Sequence, residues 1–303
     1  MRKCLLLSLF CLAILMAGAQ EKHILTSDSV SLYVKVKGTG PVCLYIHGGP
    51  GSGSNWLEKL YGETLEKHFK VIYLDQRGVG RSSTPKDGNY CMDRMTRDFE
   101  EVREALGIQQ WLTLGHSFGG ILQMGYVERY PQSNKGMLMI NCTLDIEESF
   151  RNSWITKAYE IMGEENPAAK GDTMPVQQRL QEAIGLLHKK GLMWKMTYSS
   201  PEHEKQMNDT YKDIPNWNHD FSGKALNCKE YWKNYRPETS GIDIPVLVFY
   251  GTRDWLVGPD HYKGLNFPNK LLWKSEVGHM PFMEAKQDLE KAIVSYLDKY
   301  KFK

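Results

Sequence analysis

The stretch Leu112-Thr113-Leu114-Gly115-His116-Ser117-Phe118-Gly119-Gly120 constrains this chain more than any other. An apolar run breaks into a Gly-x-Ser-x-Gly turn and restarts at Ile121-Leu122 as a second apolar segment. The pattern reads as a strand, a tight turn with one serine at its tip, and a helix. Such a turn holds its central residue in a strained backbone conformation, and the strand and helix can close on each other only where the flanking residues are glycines. By itself the five-residue pattern also fits an ordinary strand-to-helix corner. Its meaning therefore depends on what the rest of the chain supplies.

The surrounding sequence alternates strand and helix. Residues 29–36 carry Val30, Leu32, Val34 and Val36 at the period of a half-buried strand, whereas 42–46 and 71–75 are continuous apolar runs of the kind found where a strand is covered on both faces. A glycine-rich loop, His47-Gly48-Gly49-Pro50-Gly51-Ser52-Gly53-Ser54, follows the first of these runs and leads into a helix over about 55–67. A second, Gln76-Arg77-Gly78-Val79-Gly80-Arg81-Ser82, follows the other. Phe99, Val102 and Leu106 mark a helix over 95–106 that Gly107 closes, and 137–142 reads as the next buried strand. This order predicts a doubly wound, mostly parallel α/β sheet. From about 145 to 241 the buried-strand runs stop and helical stretches such as 149–162 and 176–189 take over. The sheet rhythm then resumes with strands over 245–251 and 271–277 and a helix over 288–300. The expected organisation is a core of 20–144 and 242–303, with 145–241 inserted as a helical cap over the strand ends, where open α/β sheets bind ligands.

Residues 1–19 stand apart. Arg2 and Lys3 precede a short apolar run that ends in Ala17-Gly18-Ala19, the form of a secretory leader cleaved near Ala19, and the run is shorter than the 18 or so residues a membrane anchor needs. The expected product is exported, periplasmic or secreted, with no stable membrane anchor. Its loss removes two of 38 basic residues and none of the 36 acids, leaving a balanced charge with no basic tract to favour nucleic acid. Of six cysteines, Cys4 and Cys11 lie in the leader and Cys43 and Cys142 in apolar strands, which leaves Cys91 and Cys228 as the pair open to disulfide formation. No sequence motif for a metal site is present, and neither glycine loop has the Gly-Lys-Ser/Thr of a nucleotide loop, so no cofactor is expected.

A serine that transfers acyl groups needs a base, an acid to orient the base, and N–H donors for the developing oxyanion. Asp254 follows the strand over 245–251, and His279 follows the last strand. The order Ser117, Asp254, His279 is that of one hydrolase architecture. Asp145, just past the 137–142 strand, is the alternative acid. His47 and His116 flank glycine turns and read as donors that order loops. The N–H groups of Phe118 and of Gly49, or its neighbour Gly48, are the oxyanion donors expected.

With these residues in view, the chain resembles the α/β-hydrolase superfamily over nearly its whole length beyond residue 19. His47-Gly48-Gly49-Pro50-Gly51 together with Asp75-Gln76-Arg77-Gly78-Val79-Gly80-Arg81-Ser82 resembles the proline iminopeptidase branch. That resemblance implies release of an N-terminal residue, often proline, from short peptides, without metal or organic cofactor. It places Ser117, Asp254 and His279 on the triad and Gly49 and Phe118 on the oxyanion positions. It also implies an acidic side chain in or below the cap that grips the free ammonium, for which Glu230 is the first choice and Glu204 and Glu202 follow. One departure is that some members carry a second acid directly after the triad aspartate, where this chain has Trp255. Two other readings remain: a carboxylesterase or lipase on the same triad, whose site would be apolar with no carboxylate facing the cap, and a noncatalytic binder that keeps the pocket. The sequence gives no handle on oligomeric state.

Overall fold

A computed structural model describes residues 20–171 and 173–302. The leader expected over 1–19 lies outside the described residues. In chain order the core consists of β1 (Gln20–Leu25), β2 (Ser31–Lys37), β3 (Val42–Ile46), α1 (Asn55–His68), β4 (Lys70–Leu74), α2 (Met92–Ala105), β5 (Trp111–His116), α3 (Gly119–Arg129) and β6 (Asn134–Ile140). A helical insertion follows, with α4 (Ile146–Glu148), α5 (Ile155–Met162), α6 (Val176–Lys189), α7 (Trp194–Thr197), α8 (Pro201–Tyr211) and α9 (Asp220–Lys224). The core then returns with β7 (Val246–Gly251), β8 (Lys270–Ser275), α10 (Pro281–Glu284) and α11 (Lys286–Tyr300).

The strands form one eight-stranded sheet in the order β1-β2-β4-β3-β5-β6-β7-β8. β1, β2 and β4 pair antiparallel, and every pairing from β4 through β3 to β8 is parallel. β1 pairs with β2 at an outer edge; its exposed, charged sequence carries no buried-strand signal, and it was not expected from the sequence.

The continuous apolar runs are explained by burial on two sides. Leu44 and Ile46 of β3 face a core with Met92, Met95, Phe99 and Val102 of α2 and Ile121, Leu122 and Met124 of α3. Cys43 and Tyr45 face the opposite core, with Trp56, Leu57, Tyr61 and Leu65 of α1 and Leu289, Ala292, Ile293 and Tyr296 of α11. Each strand thus buries successive side chains on opposite faces, and each helix covers the sheet with an apolar stripe. β3 has β4 on one side and β5 on the other, so the chain reverses its direction of travel across the sheet there. The loop after β3 and the turn after β5 both open at this switch point, where an open α/β sheet presents its binding crevice.

The insertion carries a smaller core of its own. Trp154, Ile155, Ala158 and Tyr159 pack against Leu180, Ala183 and Leu187 of α6 and against Met196. Its return path is fastened to the sheet side by a two-residue bridge: Gly80 N–H donates to Asn218 O at 3.0 Å, and Asn218 N–H donates to Gly80 O at 3.1 Å.

Candidate active site

The turn after β5 has the strain its sequence implies. Ser117 has φ 56°, a left-handed conformation that a residue with a side chain rarely adopts. Its neighbours allow this by lacking side chains: a Cβ on Gly119 would stand 2.2 Å from Ile46 O, and one on Gly115 2.2 Å from Gln123 Oε1. β5 and α3 can therefore close around the serine. The glycine loop after β3 packs backbone against backbone on the same turn, since a Cβ on Gly48 would lie 2.4 Å from His116 O. Phe118 stands at the head of α3, where helix N–H groups point outward. Among the described residues, no protein acceptor takes up the N–H of Gly49 or of Phe118.

Asp254 and His279 are 2% and 4% exposed. His279 Nδ1 lies 2.9 Å from Asp254 Oδ1 and 3.0 Å from Oδ2. A carboxylate oxygen in this position accepts, so Nδ1 carries a proton and Nε2 points away from the pair. Asp254 also accepts from the backbone N–H groups of Leu256 at 3.0 Å and Val257 at 3.2 Å, which fixes the carboxylate independently of the histidine. Ser117, His279 and Gly49 line one cavity of about 170 Å³, together with the apolar side chains of Trp56, Leu256 and Met280. Its roof comes from the insertion: Thr197, Tyr198, Met207 and Tyr211 face inward. Tyr211 also donates its hydroxyl to Ser52 O at 2.9 Å, tying α8 to the glycine loop.

Asp145, the alternative acid, accepts from Glu148 N–H at 3.0 Å and pairs with Arg236 at 2.7 Å, and so holds the start of the insertion. The two histidines beside the glycine turns order backbone. His47 accepts from Gln76 N–H through Nε2 at 3.1 Å, and burial pushes its imidazole down to about 4. His116 Nε2–H donates to His279 O at 3.0 Å. Burial first, and the nearby His279 second, hold His116 well below the usual histidine range, so it serves as a neutral prop. The second glycine loop acts through Asp75, whose carboxylate accepts from Ser54 N–H at 2.8 Å and Arg81 Nε at 2.7 Å. Burial would raise that carboxyl, but Arg81 and Ser54 outweigh it and hold it below its ordinary value.

The acid expected to meet an ammonium is not where the sequence reading placed it. Glu230 accepts from Met92 N–H at 3.0 Å and pairs with Arg129 at 3.1 Å, so it caps α2 and lines no part of the cavity. An acid beside two aromatic residues looks like a pocket wall in sequence, but an unsatisfied helix N-terminus competes for the same carboxylate. Glu204 and Glu202, both in the first turn of α8, also line neither the serine cavity nor its neighbour.

The carboxylate that does approach is Glu284, at the end of α10 and five residues beyond His279. With its side chain 8% exposed, it accepts from Ser199 N–H at 2.7 Å and lies 3.2 Å from His203 Nδ1. It lines a second cavity of about 330 Å³ that adjoins the first and shares Thr197, Tyr198 and His279 with it.

A further residue was also missed. Asn141, at the end of β6 with φ 47°, touches all three loops that carry Ser117, Asp254 and His279. Its carbonyl accepts from Ser117 N–H at 3.1 Å, its Oδ1 accepts from Gly251 N–H at 2.8 Å, and its Nδ2 donates to Gly278 O at 2.9 Å. The one sequence signal for it is an asparagine directly after a buried strand, a residue type that tolerates left-handed backbone. Among the described residues no group of three or more His, Cys, Asp or Glu could hold a metal ion.

The family described as alpha/beta hydrolase fold matches residues 41–286. A proline iminopeptidase from Lactobacillus delbrueckii subsp. bulgaricus is 27% identical over 270 residues, which cover 84% of this chain and 88% of that protein. Among solved structures, a proline iminopeptidase-related protein from Thermus thermophilus superposes with a TM-score of 0.77 at 22% identity, covering 93% of this chain and 98% of the other. An esterase from Exiguobacterium antarcticum superposes at 0.67 with 18% identity, covering 92% of this chain and all of the other (100%). At these identities the two structures share the fold.

Proposed function

This chain belongs to the α/β-hydrolase family, and from that premise we propose that it is a serine hydrolase in which Ser117 is the nucleophile, His279 the base and Asp254 the acid that orients the base. One observation carries the reading: Ser117 and His279 line one roofed cavity while Asp254 holds His279 Nδ1–H, leaving Nε2 to take a proton. Ser117 Oγ attacks the substrate carbonyl as His279 Nε2 accepts its proton. The tetrahedral oxyanion rests on the N–H groups of Gly49 and Phe118, and His279 returns the proton to the leaving group. Water then enters on the same path and frees the acyl group.

For the substrate we propose a short peptide with a free N-terminus, proline favoured. Similarity to a proline iminopeptidase supports this, as does Glu284, the buried carboxylate in the cavity adjoining Ser117. An ammonium bound at that end would take a charge-assisted hydrogen bond. An esterase is the second reading, favoured by the apolar side chains and the lack of any carboxylate lining the serine cavity itself. Rates on proline anilide, N-acetyl-proline anilide and a short acyl ester separate the two. Faster cleavage of the free amine, lost in Glu284→Gln while ester cleavage persists, is expected for the peptidase. Equal cleavage of the acetylated anilide, or of the ester alone, would sink that reading and leave the esterase.

A further inference from the structure

Four cysteines lie among the described residues, and two of them meet. Cys91 is exposed and directly precedes α2. Cys228 is half-buried between the short helical turns Ala225–Asn227 and Lys229–Trp232. The two thiols lie close enough for each to bear on the other's charge. On either side of them the two chain segments are already in register. Tyr231 donates its hydroxyl to Tyr90 O, and Met92 N–H donates to Glu230 Oε2 at 3.0 Å. Cys91 N–H is itself held by Asn89 Oδ1 at 3.0 Å.

We propose that Cys91 and Cys228 are a disulfide site, closed by an external disulfide donor, that ties the helical insertion to the head of α2. The exposed Cys91 thiolate attacks one sulfur of the donor, forming a mixed disulfide and releasing one donor thiol. The Cys228 thiol then loses its proton and attacks the Cys91 sulfur, releasing the second donor thiol. The protein loses two hydrogens and the donor gains them. Burial, and then Cys91 itself, push the Cys228 thiol up to about 11, so it serves as the resolving partner while the exposed sulfur starts the exchange. Cys43 and Cys142 do not compete, because the first is buried in β3 and the second just past β6, and burial raises both thiols far above the ordinary range.

The position gives the bond a consequence. Tyr231, three residues past Cys228, packs edge-on against Phe118 at 5.1 Å between ring centroids. A crosslink there would fasten the wall behind one proposed oxyanion donor. Export, expected from residues 1–19, would bring the chain to a compartment where such bonds persist.

The test uses folded protein in a reduced and oxidised glutathione buffer, quenched with iodoacetamide and digested for mass spectrometry. The expected product is a peptide pair joined through Cys91 and Cys228, lighter by two hydrogens than the reduced pair. The melting midpoint should rise by about 4 °C or more over the reduced protein. Cys91→Ser should remove both effects. A stable glutathione adduct on Cys91 with Cys228 still alkylated, or a crosslink that forms only after denaturation, would overturn the proposal. Neither result bears on whether Ser117 is the nucleophile.

Discussion

Asn141 shows how much of this site is held by a residue that lines no part of the serine cavity. Its one amide spans the loops of Asp254 and His279, and its backbone carbonyl receives Ser117 N–H. Asn141→Asp keeps the acceptor for Gly251 N–H but sets a charge against the carbonyls of Gly278 and His279. We expect kcat to fall about 10- to 100-fold with KM little changed, since small displacements of catalytic groups cost about that much. A loss confined to KM would assign Asn141 to binding. His47 gives a stability prediction. Its imidazole is fully buried and titrates near 4 when folded, against 6.5 when exposed, so between those values the unfolded chain binds the extra proton. The His47 contribution is then at its full value above about pH 6.5 and should fall by up to about 3 kcal/mol on going down to pH 4, and buried His116, also held low, adds a loss of the same sign. The depressed Asp75 carboxyl adds its own loss only below about pH 4. Urea midpoints at pH 7 and 4.5 measure this, and a flat profile would contradict the neutral, buried His47 and His116. Ser117 and Asp254 could be read from sequence because each follows a buried strand, and His279 because it follows the last strand of the sheet. Asn141 and Glu284 could not, because their value comes from which loops meet across the sheet edge. Glu230 was misread because sequence does not reveal that Met92 N–H was waiting for it.

At the scale of elements, the turn between β5 and α3 has no room for added side chains. Gly119→Ala puts a methyl group into the backbone of β3, where no side chain can swing away, and should cost about 3 kcal/mol or more. Gly185 is the control: in the middle of α6, with nothing within 4 Å of an added Cβ, its change to Ala should stabilise by about 0.5–1 kcal/mol. Thermal melts of the two variants should move in opposite directions, and a neutral Gly119→Ala would mean that strand and helix approach less closely than described. The same steric demand made this turn readable in sequence, as two-sided burial did for β3, β4 and β5. β1 escaped notice because an edge strand with exposed Gln20, Glu21 and His23 has neither signal.

The whole molecule divides its stability unevenly. The sheet is covered by two large cores, whereas α5 and α6 rest on a small cluster of their own. Amide hydrogens of α5 and α6 should therefore exchange well before those of β5 and β6, and protection in the insertion equal to that of the sheet would contradict a separately supported roof. This arrangement suits a site whose chemistry sits on rigid strand ends and whose selectivity sits in the part that moves more easily. It also explains why the proposed chemistry could be read from sequence and the proposed substrate could not: the first depends on strand-end residues, the second on how Tyr198, Met207 and Tyr211 fold over them. The central claim is that Ser117 is an activated nucleophile, and a fluorophosphonate probe tests it directly by intact mass and peptide mapping. The account predicts one adduct per chain, on Ser117, lost in Ser117→Ala and strongly slowed in His279→Ala. No adduct, or an adduct on another residue at the same rate in both variants, would contradict it.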